Sequence, residues 1–96
     1  MYTIAANYIG SHKRIRHGCK VYLVGGSNGD GWVSRKFLVR FRDGSTNVMW
    51  IDTSKVDNLR PAFAPNHVHK MFDEGFGLSK EEATELCNTI NKNVSG

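Results

Sequence analysis

Hydrophobic and polar residues alternate in residues 19–24 and 32–42, and this period of two predicts β-strands. The alternation is clearest in residues 32–42. One face of that strand carries large apolar side chains and is expected to be core: Phe37, Val39 and Phe41. The other face is mostly basic: Lys36, Leu38, Arg40 and Arg42. The segment therefore predicts a strand with one buried face and one cationic face.

Other segments extend the β prediction. Residues 19–24 alternate in the same way, and a glycine-rich loop, residues 25–31, follows them and is expected to be mobile. Asp43 and Gly44 form a turn signal, and the chain resumes as a strand through residues 48–51, which predicts a hairpin. Residues 56–59 predict a brief last strand.

The two ends of this β region are less regular. Residues 1–10 carry a weaker pattern, which predicts either a short edge strand or an ordered arm. Arg60 and Pro61 close the last strand, because proline cannot donate to a sheet, and the β pattern is expected to end there.

The pattern changes to helical spacing after Pro61. Asn66 is expected to cap a short helix that stops at Gly75. Ser79 and Glu82 form a capping box, the signature of a second helix. That helix has an apolar stripe: Ala83, Leu86, Cys87, Ile90 and Val94. The stripe needs a surface, either the barrel or the same stripe of a second copy, so monomer and homodimer both remain open.

Four or five short strands without a repeat predict a small antiparallel barrel, since closure removes unpaired edges. A chain of 96 residues with 40% hydrophobic side chains can bury one core. We therefore expect a single, mainly β domain over residues 1–96. It divides into an N-terminal arm and basic loop (1–18), a barrel (19–61) and a helical C-terminal extension (62–96).

Charge is distributed unevenly along this domain. Residues 1–60 contain ten basic and four acidic side chains, whereas residues 61–96 contain three basic and five acidic ones. A basic body suggests an anionic partner, most commonly nucleic acid. The expected phosphate contacts are Lys13, Arg14, Arg16, Lys20, Lys36, Arg40 and Arg42, with Trp32, Trp50 or Tyr22 stacking on bases. The alternative is a solvated face whose charges only keep the protein soluble.

Other chemistry has weaker support. Tyr22, Trp32, Phe41 and Trp50 are candidates for an aromatic cage around a methylated cation, but a core role for Phe41 and Trp50 is favoured. His67 and His69 lack further residues at metal-ligand spacing, so no metal site is expected.

The two cysteines lie far apart, which favours free thiols in a reducing compartment. Cys19 is expected to be a buried, inert thiol.

The string FLVRFRDGSTNVMWIDTSKVDNLRP resembles the second half of a Tudor or related SH3-like barrel. In that family a strand and a D-G turn are followed by a strand, a single helical turn and a last strand. The resemblance covers roughly residues 19–61 and implies a small barrel. It departs from Tudor readers at Gly25 and Gly26, where those proteins usually carry aromatic residues, so it supports the fold more than any ligand.

No catalytic motif is present: the chain lacks a P-loop, a nucleophile elbow and paired carboxylates in an apolar stretch. It also lacks an apolar run of membrane-spanning length and a signal-peptide pattern. We therefore expect a cytoplasmic, non-catalytic module without a cofactor, which binds nucleic acid, specifically DNA, through its basic β-face. The alternative is a protein-binding module, such as an adaptor or a phage-type inhibitor of a host nucleic-acid enzyme.

Overall fold

The computed structural model describes residues 1–26 and 34–95, the last four of these by backbone alone. Most of the predicted glycine-rich loop, together with Trp32, lies outside the described residues. The elements, in chain order, are β1 (Tyr2–Tyr8), β2 (Lys20–Gly25), β3 (Ser34–Arg40), β4 (Thr46–Asp52), a 3-10 turn (Thr53–Lys55), β5 (Val56–Phe63), α1 (Asn66–His69) and α2 (Lys80–Ser95).

The strands form a five-stranded antiparallel sheet in the order β4-β3-β2-β1-β5. The predicted class, a mainly β domain with a C-terminal helix, is confirmed. The 3-10 turn joins β4 to β5, the two ends of this strand order. Closure of the sheet into a barrel remains a prediction.

Strand β1 lies inside the sheet, so the predicted edge strand or arm is wrong. Ala5 faces Tyr22 of β2 on one side and Arg60 of β5 on the other. Ile4 and Ala6 are fully buried, and so is Thr3 on the opposite face. Burial on both faces explains the weak pattern, because a strand covered on both sides has no solvent face to mark with polar residues.

Strand β5 continues to Phe63, past the point where the sequence predicted its end. Pro61 is paired with Ile4 of β1, within the strand. β5 is the last strand in the order, so it has a neighbouring strand on one side only. Proline, which has no N–H, is tolerated in such a strand because no hydrogen bond to a second neighbour is lost. Proline therefore marks an edge strand here rather than the end of a strand.

The main core lies on one face of the sheet, beneath α2. The predicted inward positions of β3 are confirmed, since Phe37 and Val39 are buried. The helix adds its apolar stripe to this core, and it packs against β5 and β1. The buried stripe residues are Ala83, Cys87 and Ile90. These three residues of the stripe are thus covered by the chain's own sheet.

A second, smaller cluster lies on the opposite face. Leu38 was expected on the exposed cationic face of β3, but it is 7% exposed and packs with Val24, Ala64 and Val68. The chain after β5 crosses this face, and Val68 of α1 anchors it. Pro65 occupies the N-cap of α1, so the predicted capping role of Asn66 is wrong. The sheet therefore buries apolar side chains on both of its faces.

The predicted capping box at the start of α2 is confirmed. The Ser79 backbone N–H donates to Oε1 of Glu82 over 2.8 Å, and the Glu82 N–H donates to Oγ of Ser79 over 3.1 Å. Two backbone donors that the first turn would leave free are thereby satisfied. Among the described residues, no helix is long and apolar enough to cross a membrane.

The interior position of β1 can be tested with two isoleucines. Ile4 is fully buried, whereas Ile9 is 38% exposed. We expect Ile4→Ala to lower the free energy of unfolding by about 2–5 kcal/mol, because it removes buried methyl groups and leaves a cavity. Ile9→Ala is the matched control and should cost less than about 1 kcal/mol. Urea denaturation measures both, and equal small losses would contradict the interior position.

The capping box gives a second stability test. Ser79→Ala removes the hydroxyl that accepts from the Glu82 N–H, so we expect a loss of about 1 kcal/mol in thermal or urea unfolding. Ser11→Ala is the control, because Ser11 is an exposed residue of the loop between β1 and β2. A loss no larger than that of the control would show that the cap adds nothing to stability.

Candidate nucleic-acid interface

The basic loop between β1 and β2, residues 11–18, is anchored to the body of the protein. Ile15 is 1% exposed and inserts into the main core, although charged residues surround it in sequence. Backbone bonds hold the base of the loop: Gly18 N–H donates to the Tyr8 carbonyl over 2.6 Å, and Tyr8 N–H donates to the Cys19 carbonyl over 2.8 Å. Burial of Ile15 therefore fixes where its exposed basic neighbours lie.

The loop is docked on the turn between β3 and β4. Arg42 makes two of the contacts: its N–H donates to the Arg14 carbonyl over 2.8 Å, and its Nε donates to the Lys13 carbonyl over 3.0 Å. The Arg14 guanidinium lies 4.1 Å from the centre of the Phe41 ring. This stacking covers Phe41, which is half-buried at the edge of the main core.

Asp43 shapes the turn and places one negative charge nearby. Its Oδ1 accepts from the N–H and the hydroxyl of Ser45, and these bonds lower the pKa of the carboxyl. Arg14 approaches Asp43 to 3.9 Å, with both side chains exposed. A pair in such a position contributes little to stability. Its effect is to neutralise part of the charge of Arg14.

Four basic residues from three segments line two adjoining clefts at this end of the sheet. One cleft of about 340 Å³ is lined by Arg16, Arg40 and Arg42. The neighbouring cleft of about 540 Å³ is lined by Lys20 and, again, Arg40. Within the described part of the chain, neither lining includes an acidic side chain. We call Arg16, Lys20, Arg40 and Arg42 the cationic cluster.

Comparison with known proteins adds no relative. No family model, curated protein or solved structure matches the chain. The likeness to Tudor and SH3-like barrels therefore stays a resemblance, and the site is argued from its geometry.

Aromatic groups lie in the larger cleft beside the cationic cluster. Tyr22 is partly exposed on β2, and its hydroxyl accepts from Nζ of Lys20 over 3.3 Å. The His67 ring meets Tyr22 edge to face, with centroids 6.4 Å apart. Both rings line the larger cleft. A planar group entering there meets an aromatic surface next to positive charge.

Lys36 does not belong to the cationic cluster, contrary to the sequence prediction. It stands four residues before Arg40 on β3, about 13 Å away along the strand. Its Nζ forms an ion pair of 3.1 Å with Oδ1 of Asp73. The buried Leu38 lies between Lys36 and Arg40 on the same face. The predicted cationic strip is therefore interrupted in its middle.

Trp50 lies opposite Lys36 in the strand register and is 52% exposed. The favoured core role for this residue is thus wrong. Its position also separates it from the cationic cluster, at the other end of β3. Tyr22 is paired with Leu38 rather than with Lys36, and Phe41 is covered by Arg14. The described candidates for an aromatic cage therefore do not converge, and Trp32 lies outside the described residues.

The remaining candidates have structural roles. His69 packs against Phe72, with ring centroids 5.4 Å apart, while His67 faces Tyr22. Among the described residues, no three histidine, cysteine or acidic side chains group as metal ligands. Burial raises the pKa of the Cys19 thiol, and it raises that of Cys87 to about 11. The raised pKa disfavours the reactive thiolate of both described cysteines. Cys19 is nevertheless half-buried and lines both clefts of the cationic cluster, so the prediction that it is buried is wrong.

Two features of this region were missed by sequence reasoning. His67 reaches the larger cleft because the segment after β5 crosses the outer face of the sheet. No local sequence pattern predicts that this segment packs there. Asp73 is 37 residues from its partner Lys36, so the ion pair has no signal in residue spacing. The apolar Leu38 within the basic face was the one sequence clue that something covers it.

The ion pair at Asp73 predicts a pH dependence of stability. Hydrogen bonds from Lys36 and from the Gly26 N–H lower the pKa of Asp73. Its stabilising effect is present at neutral pH and lost as the pH falls from about 4 through the lowered pKa of the folded state. We expect Asp73→Asn to lower Tm at neutral pH and to approach the wild type in acid. Glu74→Gln is the control and should not show this convergence. A pH-independent gap for Asp73→Asn would contradict the assignment.

Proposed function

We propose that this protein is a non-catalytic module that binds nucleic acid, specifically DNA, through the cationic cluster. The observation that carries the proposal is the convergence of Arg16, Lys20, Arg40 and Arg42 on two adjoining clefts without an acidic residue in the described lining. Like charges brought together repel one another. Phosphates offset that repulsion, and binding releases the cations that are condensed on the DNA. Guanidinium groups suit this task because each can hold a phosphate through two parallel hydrogen bonds.

The exposure of these side chains supports the proposal. Arg16, Lys20 and Arg40 are exposed, and no described carboxylate forms an ion pair with any of the four. The nearest pairs involve Arg14 and Lys36, which flank the cationic cluster on either side. Lys13 and Arg14 extend the positive surface along the basic loop. The cationic side chains can therefore meet a phosphate without first breaking an internal salt bridge.

Tyr22 is proposed as the residue on which a base stacks. It is preferred to Trp50 in this role, because it lies in the larger cleft next to Lys20 and Arg40. Stacking on an aromatic side chain contributes about 1–3 kcal/mol per base and tolerates any sequence. Binding with little sequence preference is the expected behaviour. We also propose that the protein is related to the SH3-like barrels and that it is located in the cytoplasm.

The experiment is fluorescence anisotropy with labelled single- and double-stranded DNA at two salt concentrations. We expect salt-dependent binding by the wild type. Arg40→Gln combined with Arg42→Gln should lower the affinity about tenfold. The same double variant should reduce the slope of log affinity against log salt by about 2, because each arginine neutralises one phosphate.

The matched control is Lys55→Gln combined with Lys80→Gln. It removes the same net charge from exposed positions that line neither cleft. Its affinity should stay near that of the wild type. Equal losses in the two double variants would mean that net charge alone attracts DNA. No binding by the wild type at low salt would eliminate the proposal.

A second function is favoured by one observation, the exposed Trp50 on the terminal strand β4. Such an edge can accept a strand from another protein, with an aromatic side chain as the anchor. If DNA binding fails, a protein captured from nuclease-treated lysate should be lost with Trp50→Ala. It should be retained with the arginine double variant.

A further inference from the structure

Arg35 is a buried cation at the start of β3. It shares the inward face of the strand with Phe37 and is paired in register with Ile51. Only 9% of its surface is exposed. Desolvation by this burial lowers the pKa of Arg35, because burial disfavours the charged form. Arginine stays protonated even so, and a buried charge of this kind normally has a partner.

No partner for the Nε of Arg35 is present among the described residues. The absence is notable because three carboxylates line the same cleft: Asp73, Glu74 and Glu82. Two of them are already engaged. Asp73 accepts from Lys36 and from the Gly26 N–H, and Glu82 accepts from the Ser79 N–H of the capping box. The remaining one, Glu74, is exposed.

The cleft has a volume of about 490 Å³ and lies between the start of β3, residues 73–78 and the first half of α2. Its lining combines the guanidinium with half-buried apolar side chains from two segments: Phe76, Leu78 and Leu86. An opening of this size fits a ligand of about the size of one amino acid or somewhat larger. The lining thus combines one mostly buried cation with apolar surface.

We propose that this cleft binds a carboxylate carried on a small apolar group, with Arg35 as the anion-binding residue. A carboxylate matches the planar fork of the guanidinium, and it can contact the part of Arg35 that lines the cleft. The apolar part of the ligand covers Phe76, Leu78 and Leu86. The surrounding acidic side chains select a singly charged group, because they repel the two negative charges of a phosphate more strongly.

This site is independent of the proposed DNA interface. Arg35 and Arg40 lie at opposite ends of β3 and on opposite faces of the sheet. The two clefts of the cationic cluster share no described lining residue with the cleft at Arg35. Loss of one activity therefore leaves the other measurable.

The test is an NMR titration of the full chain with N-acetyl-leucine, compared with N-acetyl-leucinamide and with inorganic phosphate. We expect the carboxylate to shift the backbone amide signals of Gly25, Gly26, Gly75 and Gly77, which line the cleft. The amide has the same shape without the charge, so it cannot form the charge-assisted hydrogen bonds, and its affinity should be at least about tenfold weaker. Phosphate should bind more weakly than N-acetyl-leucine.

Arg35→Met and Glu74→Gln complete the test. Arg35→Met replaces an unpartnered buried charge by an apolar chain of similar length, so it should fold with a Tm at or above that of the wild type and lose the response to N-acetyl-leucine. Glu74→Gln removes one repelling charge and should bind the ligand more tightly. Arg40→Gln combined with Arg42→Gln should bind it normally.

Three results would overturn the proposal. The first is an equal response to the acid and its amide, and the second is binding that survives in Arg35→Met. The third is a response seen in Glu74→Gln but not in the wild type, which would show that Glu74 itself occupies Arg35.

Discussion

The two-sided burial of β3 is the constraint on which the rest of the structure depends. Successive side chains of a strand point to opposite faces, so Phe37 and Leu38 enter two different clusters. A shift of one residue would exchange the two faces, so that Phe37 and Leu38 would each enter the wrong cluster and Lys36 and Arg40 would point into the main core. The same register places Arg35 in the inward row and Arg40 in the outward row. One strand therefore determines the positions of both proposed binding residues.

The sequence pattern was sufficient to predict the buried positions where a strand or helix exposes polar residues on its other face. A period of two predicts the inward positions Phe37 and Val39, and helical spacing predicts the stripe of α2. The capping box follows from two residue types at fixed spacing. The pattern failed at β1 and at Leu38, where both faces are covered. Alternation records exposure, so it cannot report a strand that has no exposed face. The cover over Leu38 comes from residues 64–72, which no local pattern connects to β3.

The prediction of the site was limited by a related problem. Alternation correctly placed Lys36 and Arg40 on one face, but it does not show which charges on that face lie close together. Which charges converge depends on where the basic loop docks and on what lies between the charges. Ile15 fixes the loop at one end of β3, while Asp73 pairs with Lys36 at the other. Both contacts join residues distant in sequence, and together they reduce the predicted strip to the cationic cluster.

The two proposed sites use arginine in opposite ways. Arg40 is exposed and hydrated, so its charge costs little in the free protein, and each phosphate it meets adds a modest, salt-sensitive attraction. Arg35 is mostly buried, and its Nε lacks an acceptor among the described residues. A carboxylate that reaches Arg35 therefore faces less competition from solvent, and its contact is screened less by salt. The cationic cluster suits a long polyanion held loosely at many points. The cleft at Arg35 suits a single small group held by its shape and charge.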